Sequence, residues 1–222
     1  MARTEIVALE DHHVRPAADA LARAFMDEPT AVYLFPKPED RAAKSWALFA
    51  ALLRFGMRFG AAVTTAGDVL GAAAWAAPGK WQVTADQAAE AGFLELPSLI
   101  GEEAALKFFE MYQVLAAHHE ADAPPHHWYG VVGGVAPEAR GRWLGHALLR
   151  PLFRRADEEG AFYYVETTDP GTMALYTRSA GLRVLRELDV CGVRVWTLLR
   201  EPRTGAAAGS VHARQRSSML NQ

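Results

Sequence analysis

The stretch Gly133-Gly-Val-Ala-Pro-Glu-Ala-Arg140-Gly-Arg-Trp-Leu-Gly145-His-Ala-Leu-Leu149 decides how the chain folds. Before it, Trp128 to Val135 is apolar and β-branched and reads as a strand. After it, apolar positions recur at helical spacing, so residues 142–159 read as a helix whose first turn holds Arg140, Gly141, Arg142 and Gly145. A helix start leaves backbone N–H groups free and partly positive, which suits a diphosphate. Arg140 and Arg142 add charge-assisted donors, and the glycines let backbone approach a ligand without a Cβ between. An ordinary strand-to-helix turn can carry the same glycines, so the loop alone names no ligand.

Outward from this stretch the chain alternates between the two periodicities. Thr4 to Leu9 reads as a strand, and Val14, Ala18, Leu21, Ala22 and Phe25 form one face of a helix. A second helix follows Pro38, and Ala61 to Thr65 and Val69 to Ala76 read as strands around Ala66-Gly67-Asp68. Thr84-Ala-Asp-Gln87 is a capping box that opens a helical insert at 84–119, whose last helix, near 102–119, buries Ala105, Phe108, Phe109, Tyr112 and Leu115. Phe162 to Thr168 is a strand, Asp169-Pro170 starts a helix that Gly181 closes, and a hairpin turns at Cys191-Gly192. The expected fold class is therefore α/β, with a mixed sheet flanked by helices. Residues 1–200 form one domain and 201–222, without apolar periodicity, a flexible tail.

Composition narrows the partners. Half of the 222 residues are hydrophobic and 22% are charged, as in an ordinary globular domain. A net charge of −3 argues against a nucleic-acid binder, and no apolar run reaches membrane-spanning length. The first ten residues lack an apolar signal core, and with the single Cys191 a reducing, cytoplasmic setting is expected. The oligomeric state stays open, a homodimer included. The histidine pairs at 12–13, 118–119 and 126–127 match no closed metal pattern, so no metal is expected.

The loop and its surroundings resemble the GCN5-related N-acetyltransferase superfamily. The family's coenzyme A loop, Gln/Arg-x-x-Gly-x-Gly/Ala after a strand ending Val-x-Pro, is matched by Val135-Ala136-Pro137 and Arg140-Gly-Arg-Trp-Leu-Gly145. Downstream, Tyr163-Tyr-Val-Glu-Thr-Thr168 and Tyr176-Thr-Arg-Ser-Ala-Gly181-Leu182 are similar to its acidic strand and its Tyr-x-x-x-Gly-Phe helix. Glu166-Thr167 ten residues before the tyrosine, Trp196, Leu149-Arg150-Pro151 and the long insert resemble the subgroup of puromycin N-acetyltransferase. Trp143 stands where the family usually has the loop's first glycine, in helical φ/ψ and with its bulk away from the phosphates or against the adenosine.

The resemblance implies a twisted sheet opening in a V between strands 128–135 and 162–168. It implies direct transfer of an acetyl group from acetyl-CoA to the amino group of a small molecule, within a ternary complex. Gly133, Gly134 and Val135 would take the pantetheine arm along a strand edge bulged at the glycine pair. Arg140, Gly141, Arg142, Trp143, Leu144, Gly145 and His146 would hold the rest of the cofactor. Tyr176 would be the general acid and Glu166 the general base, a carboxylate too costly among aromatics without a use or a partner. Asp27, Glu28 and Tyr33, acidic and aromatic at a helix junction, suit a cationic acceptor, though a solvated loop explains the acids equally well. The rival readings are a non-catalytic coenzyme A-binding regulator and a protein or peptide N-acetyltransferase.

Overall fold

The computed structural model describes residues 4–203, so of the tail expected at 201–222 all but the first three residues lie outside the described residues. A seven-stranded mixed sheet runs in the order β1-β2-β3-β4-β5-β7-β6, built from Ile6–Ala8, Gly60–Thr65, Gly71–Ala76, His127–Val135, Phe162–Thr167, Arg183–Val190 and Val193–Arg200 for β1 to β7. The helices are α1 (Asp11–Ala24), α2 (Pro29–Leu34), α3 (Pro38–Phe59), α4 (Ala85–Ala91), α5 (Leu96–Ile100), α6 (Glu102–Asp122), α7 (Leu144–Glu159) and α8 (Pro170–Leu175). The mixed α/β architecture is the one expected.

Local sequence explains most boundaries. Thr84 accepts from the Gln87 N–H while Gln87 Oε1 accepts from the Thr84 N–H, closing the capping box that starts α4. Asp169 caps α8, with Pro170 at its first position. Cys191 and Gly192 both have positive φ, as a two-residue turn between right-twisted strands requires. The helix α2 was expected as loop: Glu28 caps it and Pro29 opens it, but at 6 residues it has no readable period. The helix α6 buries Ala105 but leaves Phe108, Phe109, Tyr112 and Leu115 half-buried, because that face turns toward a cleft.

Strand β3, Gly71-Ala-Ala-Ala-Trp-Ala76, is buried along its whole length. One side packs against α7 with Leu148 and Leu152, and the other against α1 and α3 with Leu21 and Leu53. Fully burying one such leucine is worth about 1.5–3 kcal/mol, so these two layers fix the sheet that carries the site.

The parallel pair β4–β5 is in register only from His127↔Phe162 to Gly130↔Val165. Beyond it β4 continues to Val135, paired with β3 alone, while residues 166 and 167 pair only with β7. The sheet therefore splays in the expected V. Its cause differs from the expectation: the bulge lies at Val131, skipped between Trp75↔Gly130 and Ala74↔Val132, and not at Gly133-Gly134. Val131 and Val132 consequently pack on the same side of the sheet, which bends the strand. Gly134 instead makes room for α1, since a Cβ there would lie 2.8 Å from the Phe25 ring.

Candidate active site

The V opens into a cleft of about 1880 Å³ that passes through the sheet. On the α7 side, Gly133, Gly134 and Val135 present the unpaired edge of β4. The loop beyond does not begin a helix at Arg142, as the periodicity suggests. Gly141 has φ +76 and Trp143 φ +60, around an Arg142 of negative φ, so α7 starts only at Leu144. Arg140, Gly141 and Arg142 therefore precede the helix rather than form its first turn. Trp143 is left-handed, not helical, a conformation that costs a non-glycine residue about 1–2 kcal/mol. Alternating handedness followed by a helix N-terminus is an anion-binding backbone pattern.

No side chain caps α7, and the first bond of the helix runs from the Ala147 N–H to the Trp143 carbonyl. The N–H groups of Leu144, Gly145 and His146 are thus without helical partners. Trp143 is 74% exposed, lines the cleft and sets its ring beside that of His146. Arg140 reaches back to donate to the Ala24 carbonyl at 2.8 Å, tying the loop to the end of α1. Arg142 is exposed at the loop's surface.

Tyr176 lies on the same side, buried against the cluster of Tyr163, Val165 and Leu182, and it lines the cleft. It begins a π-turn, Tyr176–Ala180, that follows α8. Burial raises the affinity of its phenol for the proton, opposed by the Tyr163 hydroxyl.

Glu166 projects to the other face, where α6 covers the sheet. Its Oε1 is buried without a protein hydrogen-bond partner, as are Tyr164 Oη and, on the paired residue of β7, Thr197 Oγ1. Burial pushes the Glu166 carboxyl up to about 8, with the Tyr129 and Tyr164 hydroxyls favouring the charged form. Next to this group, His119 and His127 share a 2.7 Å contact between their Nε2 atoms. His127 Nδ1 bonds the Pro124 carbonyl, which makes it the N–H side, so His119 donates to His127. The His119 ring is stacked between Trp81 and Tyr164.

The two acids of the helix junction both line the cleft, and one of them is held as a helix cap. Glu28 lines the cleft, but its carboxylate accepts from the Thr30 and Ala31 N–H groups as the α2 cap. Asp27 also lines the cleft and lies 4.0 Å from Arg41 Nη2. Tyr33 is not among the cleft-lining residues; its ring faces Lys107 and Cys191. Thr30 and Thr168, which the sequence did not single out, meet at 3.2 Å between hydroxyls and join α2 to the end of β5. Tyr129 and Trp81 also escaped the sequence reading, and His119 was weighed there only as half of a histidine pair, although alternation along β4 puts His127, Tyr129 and Val131 on one face.

A seven-stranded mixed sheet splayed at its central parallel strands, with an uncapped helix start at the gap, is the fold of the GCN5-related N-acetyltransferases. Solved structures bear this out. An acetyltransferase from Corynebacterium glutamicum, described as histone acetyltransferase HPA2 and related acetyltransferase, matches with TM-score 0.64 and 22% identity over 92% of this chain and 99% of its own. A polyamine N-acetyltransferase from Drosophila melanogaster, which forms N-acetylagmatine, matches with TM-score 0.62 and 15% identity over 90% of this chain and 100% of its own. Arylalkylamine N-acetyltransferase 2 from Aedes aegypti matches with TM-score 0.60 and 13% identity over 91% and 100%. In sequence, an uncharacterized N-acetyltransferase of Schizosaccharomyces pombe is 24% identical over 214 residues, 90% of this chain and 84% of that protein. No protein-family model matches the chain. The relative and two of these structural neighbours are described as N-acetyltransferases, and the third as an acetyltransferase. Among the described residues no helix is long and apolar enough to cross a membrane.

Proposed function

We propose that the protein transfers an acetyl group from acetyl-CoA to the amino group of a small molecule, by direct transfer in a ternary complex. One observation carries the reading: a single cleft, opened where β4 and β5 part, joins an uncapped helix start, a buried phenol and a buried carboxylate. The residues fit the cofactor. The free N–H groups at Leu144 to His146 suit its diphosphate, and the edge of β4 beyond Gly130 suits its amide-bearing arm. When bound, acetyl-CoA supplies an acetyl thioester whose sulfur leaves on transfer. Glu166 Oε1 accepts the proton that frees the amine lone pair, and Tyr176 Oη gives its own to the departing sulfur. Backbone N–H groups on the free edge of β4 polarise the carbonyl under attack.

The small-amine class draws support from neighbours named for polyamine and arylalkylamine acetylation, and from α6 walling one side of the cleft against a peptide. The subgroup likeness to puromycin N-acetyltransferase stays part of the proposal, resting on Glu166-Thr167, Trp196 and the insert. So does a cytoplasmic setting, resting on the lone Cys191. Trp143 lines the cleft beside the N–H groups of Leu144 to His146, so whether its indole admits the diphosphate separates transfer from a non-catalytic coenzyme A binder. Thiol release from acetyl-CoA against a panel of primary amines tests the reading. Amine-dependent release supports it, and acetyl-CoA binding without release on any amine points to the regulator.

A further inference from the structure

We propose that the acceptor is a primary amine carrying one bulky, uncharged, apolar body and no second cationic group. The inference rests on the transferase reading and specifies its substrate class. The cleft wall supplied by residues 38–122 is mostly apolar: Leu52 from α3, Trp81 from the loop before α4, and Phe108, Phe109 and Leu115 from α6 all line it half-buried, with Ser45, Thr84, Tyr112 and Gln113 its polar members. Among the described residues of that segment, none that lines the cleft carries a charge. Half-buried aromatics that a helix turns toward a cavity instead of the core are a ready surface for an apolar ligand.

Among the described acids that line the cleft, Glu166 alone has an oxygen buried without a protein hydrogen-bond partner. That oxygen is Oε1, and Tyr129 lines the cleft beside it, so this carboxylate can receive one ammonium. The other acids of the cleft are caps or lie at its solvent-exposed rim, where Asp19 pairs with Arg15 and the Asp27 side chain is 94% exposed. Glu28 and Asp169 cap α2 and α8, and Asp27 faces Arg41. A diamine bound with one nitrogen at Glu166 would have to bury its second charge against phenylalanine, tryptophan and leucine, which is strongly unfavourable. A monoamine with an aromatic body would cover the same wall and displace water from it.

The experiment compares tryptamine with putrescine as acceptors for the full-length protein, reading thiol release from acetyl-CoA. We expect kcat/KM for tryptamine to exceed that for putrescine by about 100-fold or more, with most of the difference in KM, since hydrophobic pockets discriminate by roughly this factor per small group. Phe109→Glu should narrow the gap by at least about tenfold, and Phe109→Leu should leave it nearly intact. The wild-type comparison stands even where a variant does not fold. Putrescine used within about threefold of tryptamine overturns the inference and leaves the transferase reading intact. Equal use of both amines with a tenfold gain on hexanoyl-CoA also overturns it, by giving the apolar wall to the donor's acyl chain. No thiol release with either amine or with the wider amine panel overturns the transferase reading itself, and this inference with it.

Discussion

Gly130 and Val165 are the last partners of β4 and β5, and they meet so closely that a Cβ on Gly130 would lie 2.7 Å from Val165 Cγ2 and 2.6 Å from the Tyr163 hydroxyl. The splay that makes the cleft starts at this contact. A side chain there would have to push β5 away one residue before Glu166. Gly130→Ala should cost about 1–3 kcal/mol of stability, as overpacking does, and lower kcat/KM for the acceptor. Urea unfolding and thiol-release kinetics read the two effects; an unchanged midpoint and rate would remove the close contact from the account.

Tyr176 is buried beside Tyr163 and lines the cleft, and burial keeps it a protonated phenol throughout the working pH range. Tyr176→Phe keeps the ring and removes the proton. It should lower kcat by roughly 10²- to 10⁴-fold while leaving the KM for acetyl-CoA within a fewfold. Full turnover in this variant would mean that another group protonates the sulfur.

Glu166 must be ionised to accept a proton, and burial holds its carboxyl up to about 8. Activity should therefore rise with pH through an apparent value near 8, then fall as the free amine loses its own proton. Glu166→Gln should lose the limb near 8 and retain a dependence on the amine's ionisation alone. A wild-type profile flat from pH 6 to 9 would exclude Glu166 as the base.

The buried His119–His127 pair ties stability to acid. Desolvation lowers His119 from 6.5 to about 3, so below pH 6.5 the unfolded chain binds a proton that the folded one refuses. The stability this histidine contributes is complete above 6.5 and is lost as pH falls toward 3, at a slope approaching ~1.4 kcal/mol per unit. His119→Gln should flatten that slope in urea titrations at successive pH values. An identical slope in the variant would assign the acid sensitivity to other groups.

Much of the fold was legible because period and punctuation agree there: the capping box at Thr84, the Asp169-Pro170 start, the hairpin at Cys191-Gly192 and the run 128–149. What stayed hidden has physical reasons. The bulge sits at Val131, between residues with no turn signature, while the glycine pair that suggested one serves the packing of α1. The left-handed Trp143 contradicts local preference and so could not be read locally. Glu166 and Tyr176, singled out one as an out-of-place charge and one by motif, both line the cleft, but the company of Glu166 comes from α6, whose helical pattern says core where the chain makes a cavity wall. Tyr33 failed the other way, sharing a stretch with cleft residues while its ring faces Lys107.

The central claim is that backbone N–H groups at the start of α7 grip the diphosphate of acetyl-CoA. A Cβ at Gly145 would meet no atom within 4 Å, so Gly145→Asp should fold normally while setting a carboxylate among those donors. Titration calorimetry with acetyl-CoA should find one molecule bound per wild-type chain and at least about 100-fold weaker binding by Gly145→Asp, as repulsion at an anion site demands. No binding by the wild type, or equal binding by both proteins, would contradict it.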